Sequence, residues 1–151
     1  TLACMSYNNG FWIFDRLQFQ ITRLDEQLNV VQQSSNILQM TGDAIDPTAM
    51  MEYQEVVYLN DPEIGLLQFD MFGGYMKTLP IKGIESFQVN NQFIFFIKNE
   101  RLYRFNTLDL TEVEIAFDAK GVSEFMLHHD KLVVLRNHRI EVYEKFSELQ
   151  P

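Results

Sequence analysis

The stretch NNQFIFFIKNERLYRFNTLDLTEVEI, residues 90–115, decides the fold. It opens on Asn90-Asn91-Gln92, and asparagine tolerates the left-handed backbone that closes tight turns. Phe93-Ile94-Phe95-Phe96-Ile97 follows, an unbroken apolar run of strand length bounded by turn residues. After a second turn, Arg101 to Asn106 reads as another strand. Val113, Ile115 and Phe117 then alternate with Glu112 and Glu114, the period-two pattern of a third.

The same texture recurs outward from this stretch. Apolar runs begin at Phe11 (Phe11-Trp12-Ile13-Phe14), Val56 (Val56-Val57-Tyr58-Leu59), Phe93 and Leu132 (Leu132-Val133-Val134-Leu135). Their spacing is about forty residues, the period of a propeller blade. Each run is read as the second strand of a four-stranded antiparallel unit. First strands are expected at Leu2–Tyr7, Ala49–Tyr53, Ile84–Val89 and Val122–Leu127. Third strands are expected at Phe19–Leu24, Gly65–Asp70, Arg101–Asn106 and Arg139–Tyr143, and fourth strands at Asn29–Val31, Tyr75–Leu79 and Glu112–Phe117. An unbroken apolar run implies burial on both faces. In the third strand of the last unit, Ile140 and Val142 alternate with Arg139 and Glu141, which implies a sheet with one face toward water.

The fold class is therefore all-β and β-propeller-like, about four consecutive antiparallel blades with the last incomplete. The units are 1–33, 48–80, 84–117 and 122–146 of a single domain, 1–151, with an irregular insertion at 32–48. Ser34-Ser35-Asn36, Gly42-Asp43 and Asp46-Pro47 are breakers, and no sustained helical period appears there or over Asp25 to Gln33. The missing fourth strand of the last unit favours the C-terminal part of a longer propeller over a bare four-bladed ring. The opening at Thr1 reads as a processed or trimmed chain.

Composition narrows the partners. With 12 basic and 21 acidic side chains the formal charge is −9, so the field repels phosphate backbones and anionic lipid surfaces. Nucleic acid is not expected as a partner. No apolar stretch reaches the length of a membrane span. The single Cys4 excludes an internal disulfide. Thr1-Leu2-Ala3-Cys4 has the outline of a bacterial lipoprotein cleavage site, but Thr stands three before the cysteine, and the stretch fits a strand.

Catalytic signatures are lacking: there is no phosphate-binding glycine loop, nucleophile elbow or His-Glu-x-x-His pair. His128 and His129 are adjacent and point to opposite faces of a strand, so at most one could join His138. Two imidazoles without a third ligand make a poor zinc site. Asp25, Asp70 and Asn106 recur at the end of the third strand in the first three units, where a short polar side chain caps a turn, and the fourth unit departs from this with Glu144 or Lys145. Phe72-Gly73-Gly74-Tyr75 is a hairpin turn. No cofactor, metal or catalytic residue is expected. The insertion is the first place to look for a binding surface, with Asp43, Asp46, Asp61 and Glu63 as candidates. Blade edges and apolar faces left open drive association, so a protein partner or self-association is expected through the first and last units. Exposed candidates there are Leu2, Met5, Val142, Tyr143 and Phe146.

The repeat at residues 90–115 is similar to the irregular blades of NHL and quinoprotein-like propellers, and lacks the Gly-His and Trp-Asp signatures of WD-type blades. GFWIFDRLQFQITRLDEQLNVVQQS (10–34) with LLQFDMFGGYMKTLPI (66–81) resembles a group of small exported propeller-like proteins of Bacteroidota. Members of that group extend further at the N-terminal side. The resemblance, which covers most of residues 8–146, implies a periplasmic or outer-membrane-associated location. It also implies a non-catalytic accessory or scaffold role beside the type IX secretion or gliding apparatus. The competing reading is a ligand- or sugar-binding, or hydrolytic, propeller whose site lies on the blade-connecting loops.

Overall fold

A computed structural model describes residues 2–84 and 86–146. Its architecture is all-β and propeller-like, built of consecutive up-and-down antiparallel sheets. The first sheet runs β1 (Leu2–Met5), β2 (Phe11–Asp15), β3 (Gln20–Leu24) and β4 (Val30–Gln33). A short helix, α1 (Ile37–Thr41), leads to the second: β5 (Ala49–Tyr53), β6 (Val56–Asp61), β7 (Gly65–Phe69) and β8 (Tyr75–Leu79). The third is β9 (Phe87–Asn90), β10 (Phe93–Lys98), β11 (Arg101–Asn106) and β12 (Glu112–Asp118). The fourth has three strands among the described residues: β13 (Val122–His128), β14 (Lys131–Arg136) and β15 (Arg139–Glu144). Part of the expected strand at Ile84–Val89 lies outside the described residues, because Glu85 is not described.

The chain divides into two compact units, Thr1–Glu85 and Ser86–Pro151. The first has a core of Trp12, Phe14, Ile21, Ile37, Ile45, Val57, Leu59, Leu67 and Phe69. There Trp12 Nε1 donates to Glu52 Oε2 at 2.6 Å, so the polar edge of the indole is satisfied where its body is buried. The second unit packs Phe95, Leu102, Ile115, Leu132, Val134 and Phe146.

Local chemistry explains the hairpins. Asp70 Oδ1 accepts from the backbone N–H of Phe72 and of Gly74, both at 2.8 Å. Asp25 does the same for Gln27 and Asn29, and Asn106 for Leu108. The recurring short polar side chain is thus a turn cap. Two-residue turns at Gln54-Glu55, Asn99-Glu100 and Asn137-His138 have positive φ at both residues, matching the strand twist. At Gly10 an added Cβ would lie 2.0 Å from the Leu24 carbonyl oxygen, so this turn requires glycine.

Three expectations are corrected. The insertion holds α1, capped by Asn36, which accepts from Gln39 N, and ended by left-handed Gly42. Five residues are too few for a helical period to register, and it is the burial of Ile37 that secures the turn. Two-face burial holds for the middle runs, where Val57, Tyr58, Leu59, Ile94, Phe95 and Phe96 are all buried. In β2 and β14 only alternate residues are fully buried (Trp12 and Phe14; Leu132 and Val134), because the other face of each sheet is only partly covered. Finally, Phe146 is buried at 3% exposure, its ring edge-on to Phe95 at 5.7 Å, and is not a surface residue.

Candidate functional site

The acidic candidates of the first unit converge in part. A cleft of about 270 Å³ is lined by Ala44, Asp46, Thr48, Asp61, Pro62, Glu63 and Ile64. Asp61 ends β6 and is buried, its carboxylate already engaged. Oδ1 accepts from Glu63 N (2.8 Å) and Ile64 N (3.0 Å), and Oδ2 from Asp46 N (2.7 Å). It therefore staples the insertion to its own turn. Asp46 is ion-paired to Arg16 at 2.8 Å, and the same arginine reaches the Pro47 carbonyl. Glu63 is exposed at the rim. Asp43 lies outside the cleft, in the turn after α1, where its N–H donates to Thr41 Oγ1. Among the described residues no three His, Cys, Asp or Glu side chains gather as a metal site would need. The rings of His128 and His129 meet edge-on at 4.2 Å and do not point to opposite faces as strand alternation implied, because His129 leaves the strand with a left-handed φ of 53°.

The fourth sheet carries the larger feature. Pairing sets Met126 beside Val133, Val133 beside Val142 and Leu135 beside Ile140, so these five apolar side chains share one face. Ile140 is 74% exposed, Met126 55% and Val142 54%. The alternation in β15 is thus the reverse of a polar-out strand: its apolar residues look to water. The other side explains why. Glu141 and Tyr143 turn toward the third sheet, where Tyr143 O–H donates to Glu141 Oε2 at 2.6 Å. Arg136 Nε donates to the same oxygen at 3.0 Å, and its Nη atoms to the carbonyls of Lys120 and Asp118. The hydrogen bond from Tyr143, reinforced by Arg136, holds the Glu141 carboxyl below its usual range; the same bond raises the phenol, against the pull of Arg136.

Beside this cluster is a recess of about 460 Å³ lined by Ala116, Phe117, Asp118, Arg136, Glu141 and Tyr143. Tyr143 meets Phe117 edge-on at 5.0 Å. Of the expected surface residues, Val142 is exposed, Tyr143 half-buried at the recess, and Phe146 buried. Met126 and the Arg136 cluster went unanticipated. Pairing Met126 with Val142 through Val133 required the register, although Ile140 was visible in the alternation. Cys4, in β1 as expected, is half-buried, and burial together with the Glu52 carboxylate pushes its thiol up to about 12. Thr1 of the lipoprotein-like outline lies outside the described residues.

No family model matches the chain, and no curated protein matches it. Solved structures do match in fold. The computationally designed protein Ika4 superposes at TM-score 0.65 with 10% identity, over 95% of this chain and 89% of its own. A streptogramin B lyase matches at TM-score 0.60 and 14% identity, over 95% of this chain and 53% of its own. PorZ of Porphyromonas gingivalis, described as an essential bacterial surface component of the type IX secretion system, matches at TM-score 0.62 and 16% identity. That match covers 94% of this chain and 20% of PorZ. The chain thus spans about half the length of the lyase and a fifth of PorZ. At these identities the likeness attests a propeller-type fold.

Proposed function

We propose that the chain is a non-catalytic interaction module that binds protein through the apolar face of its fourth sheet. The observation that carries this reading is the water-facing group Met126, Ile140 and Val142, backed by Val133 and Leu135. Contiguous apolar side chains on a sheet face cost free energy in water and gain it when covered. An envelope location beside the type IX secretion or gliding apparatus is part of the proposal. It is supported by the sequence resemblance to exported Bacteroidota proteins and by the presence of PorZ among the structural neighbours.

The alternative of a ligand- or sugar-binding site on the blade-connecting loops would use the Asp46–Glu63 cleft. Its chemistry is poorer: Asp61 is consumed by three backbone N–H groups and Asp46 by Arg16. Sedimentation velocity over a range of concentrations tests the proposal. The isolated chain is expected to self-associate at the upper end through its uncovered face. A double Ile140→Lys, Val142→Lys variant is expected to stay monomeric. A wild-type chain that remains monomeric and binds no hydrophobic dye would overturn it.

A further inference from the structure

We propose that the outer edge of β15 is a docking site for one extended strand of a partner protein. The strand lies antiparallel to β15, sets an apolar side chain against Phe117 and Tyr143, and turns basic side chains to water.

Three observations converge on this edge. In each of the first three sheets the third strand is flanked on both sides, whereas β15 pairs with β14 alone among the described strands. The register fixes which backbone groups this leaves outward. Asn137-His138 is a two-residue turn joining Arg136 to Arg139, so that flanking pair is hydrogen-bonded, as are Val134 with Glu141 and Leu132 with Tyr143. The N–H and C=O groups of Ile140, Val142 and Glu144 therefore point away from β14. An edge with these groups unpaired is a template for another strand.

The recess lies where a strand added to that edge would set its inward side chain. Its wall is aromatic, Phe117 and Tyr143, and at about 460 Å³ it has room for a branched or aromatic residue. Charge indicates the remaining positions. The net charge of −9 favours a basic partner at longer range. Up to Phe146, the last described residue, the chain departs from this edge: Lys145 takes a left-handed φ of 58°, and Phe146 N–H donates to the Asp130 carbonyl at 2.8 Å, back beside the β13–β14 turn.

This goes beyond docking on the apolar face, and the two can be told apart. A partner resting on the side chains of Ile140 and Val142 leaves their outward amides free; a strand on the edge bonds them. The probe is an end-capped peptide, KVKIKFK, which copies β12 with lysine at its four exposed positions. Amide hydrogen exchange of the 151-residue chain is followed by NMR with and without it. Saturating peptide is expected to slow exchange at Ile140, Val142 and Glu144 by about tenfold or more, with Arg139, Glu141 and Tyr143 little changed. Val142→Pro removes the central outward donor and is tolerated on an edge. It is expected to weaken the peptide about tenfold. Phe117→Ala, which leaves the backbone edge intact, tests the recess and is expected to weaken binding to a similar degree. Binding without amide protection, no binding, or amides already protected in the chain alone would each overturn the proposal. The last outcome would mean that the chain or a second copy already fills the edge.

Discussion

Asp70 determines a turn with one oxygen, since its Oδ1 serves two backbone donors at once. Asp70→Ala is expected to cost about 1–2 kcal/mol. Asp70→Asn keeps an acceptor and should cost clearly less; urea unfolding of the two variants checks this. Cys4 makes a second prediction. Because burial and Glu52 push its pKa to about 12, the thiolate is scarce at pH 8. Iodoacetamide should label the native chain far more slowly than the unfolded one. Glu52→Gln should speed native labelling while keeping an acceptor for Trp12, and equal rates for wild type and variant would contradict this electrostatic account. The caps were legible in the sequence because a turn cap acts over two to four residues. The environment of Cys4 was not, because Glu52 is brought to it only by packing.

Among elements, β10 depends strongly on burial. Ile94 and Phe96 are fully buried and Phe95 nearly so, its ring against Phe146. Phe95→Ala is expected to cost about 3–5 kcal/mol, read by urea unfolding. A loss below about 1 kcal/mol would show that the strand is peripheral. In β15 the prediction concerns pH. The folded-state pKa of Glu141 is depressed, first by the Tyr143 hydrogen bond and then by Arg136. Its contribution is therefore present above the unfolded carboxylate pKa and lost as pH falls through the lower folded value. Glu144, held down by Lys131, acts with the same sign. Thermal melts from pH 7 to 3 should lose stability on the acid side, and Glu141→Gln should flatten that slope while lowering the plateau. The strands themselves were legible because period-two patterns and unbroken apolar runs survive without knowledge of the partner. The helix at Ile37–Thr41 was not legible, being shorter than any period that could announce it.

For the whole molecule, charge and apolar surface act against each other. At neutral pH the net charge of −9 keeps copies apart, and near the isoelectric point of about 4.7 that repulsion vanishes. Light scattering should therefore peak near that pH, and the Ile140→Lys, Val142→Lys variant should both shift the peak upward and reduce it. A peak that moves without shrinking would mean that the apolar face takes no part. By itself the sequence determined the all-β class, the near-forty-residue repeat, the order of the strands and the residues that close their turns. Those follow from local rules: alternation, strand length and the backbone preferences of Asn, Asp and Gly. Only the tertiary structure decided which face of each strand is covered. Phe146 and Val142 are both apolar and four residues apart, yet one fills a core and the other meets water. It likewise decided that Asp61 is a staple and not a free ligand, and that β15, paired with β14 alone among the described strands, runs beside an aromatic recess. The physical reason is that hydrophobicity states what a side chain prefers, whereas coverage depends on which other strands are folded against it.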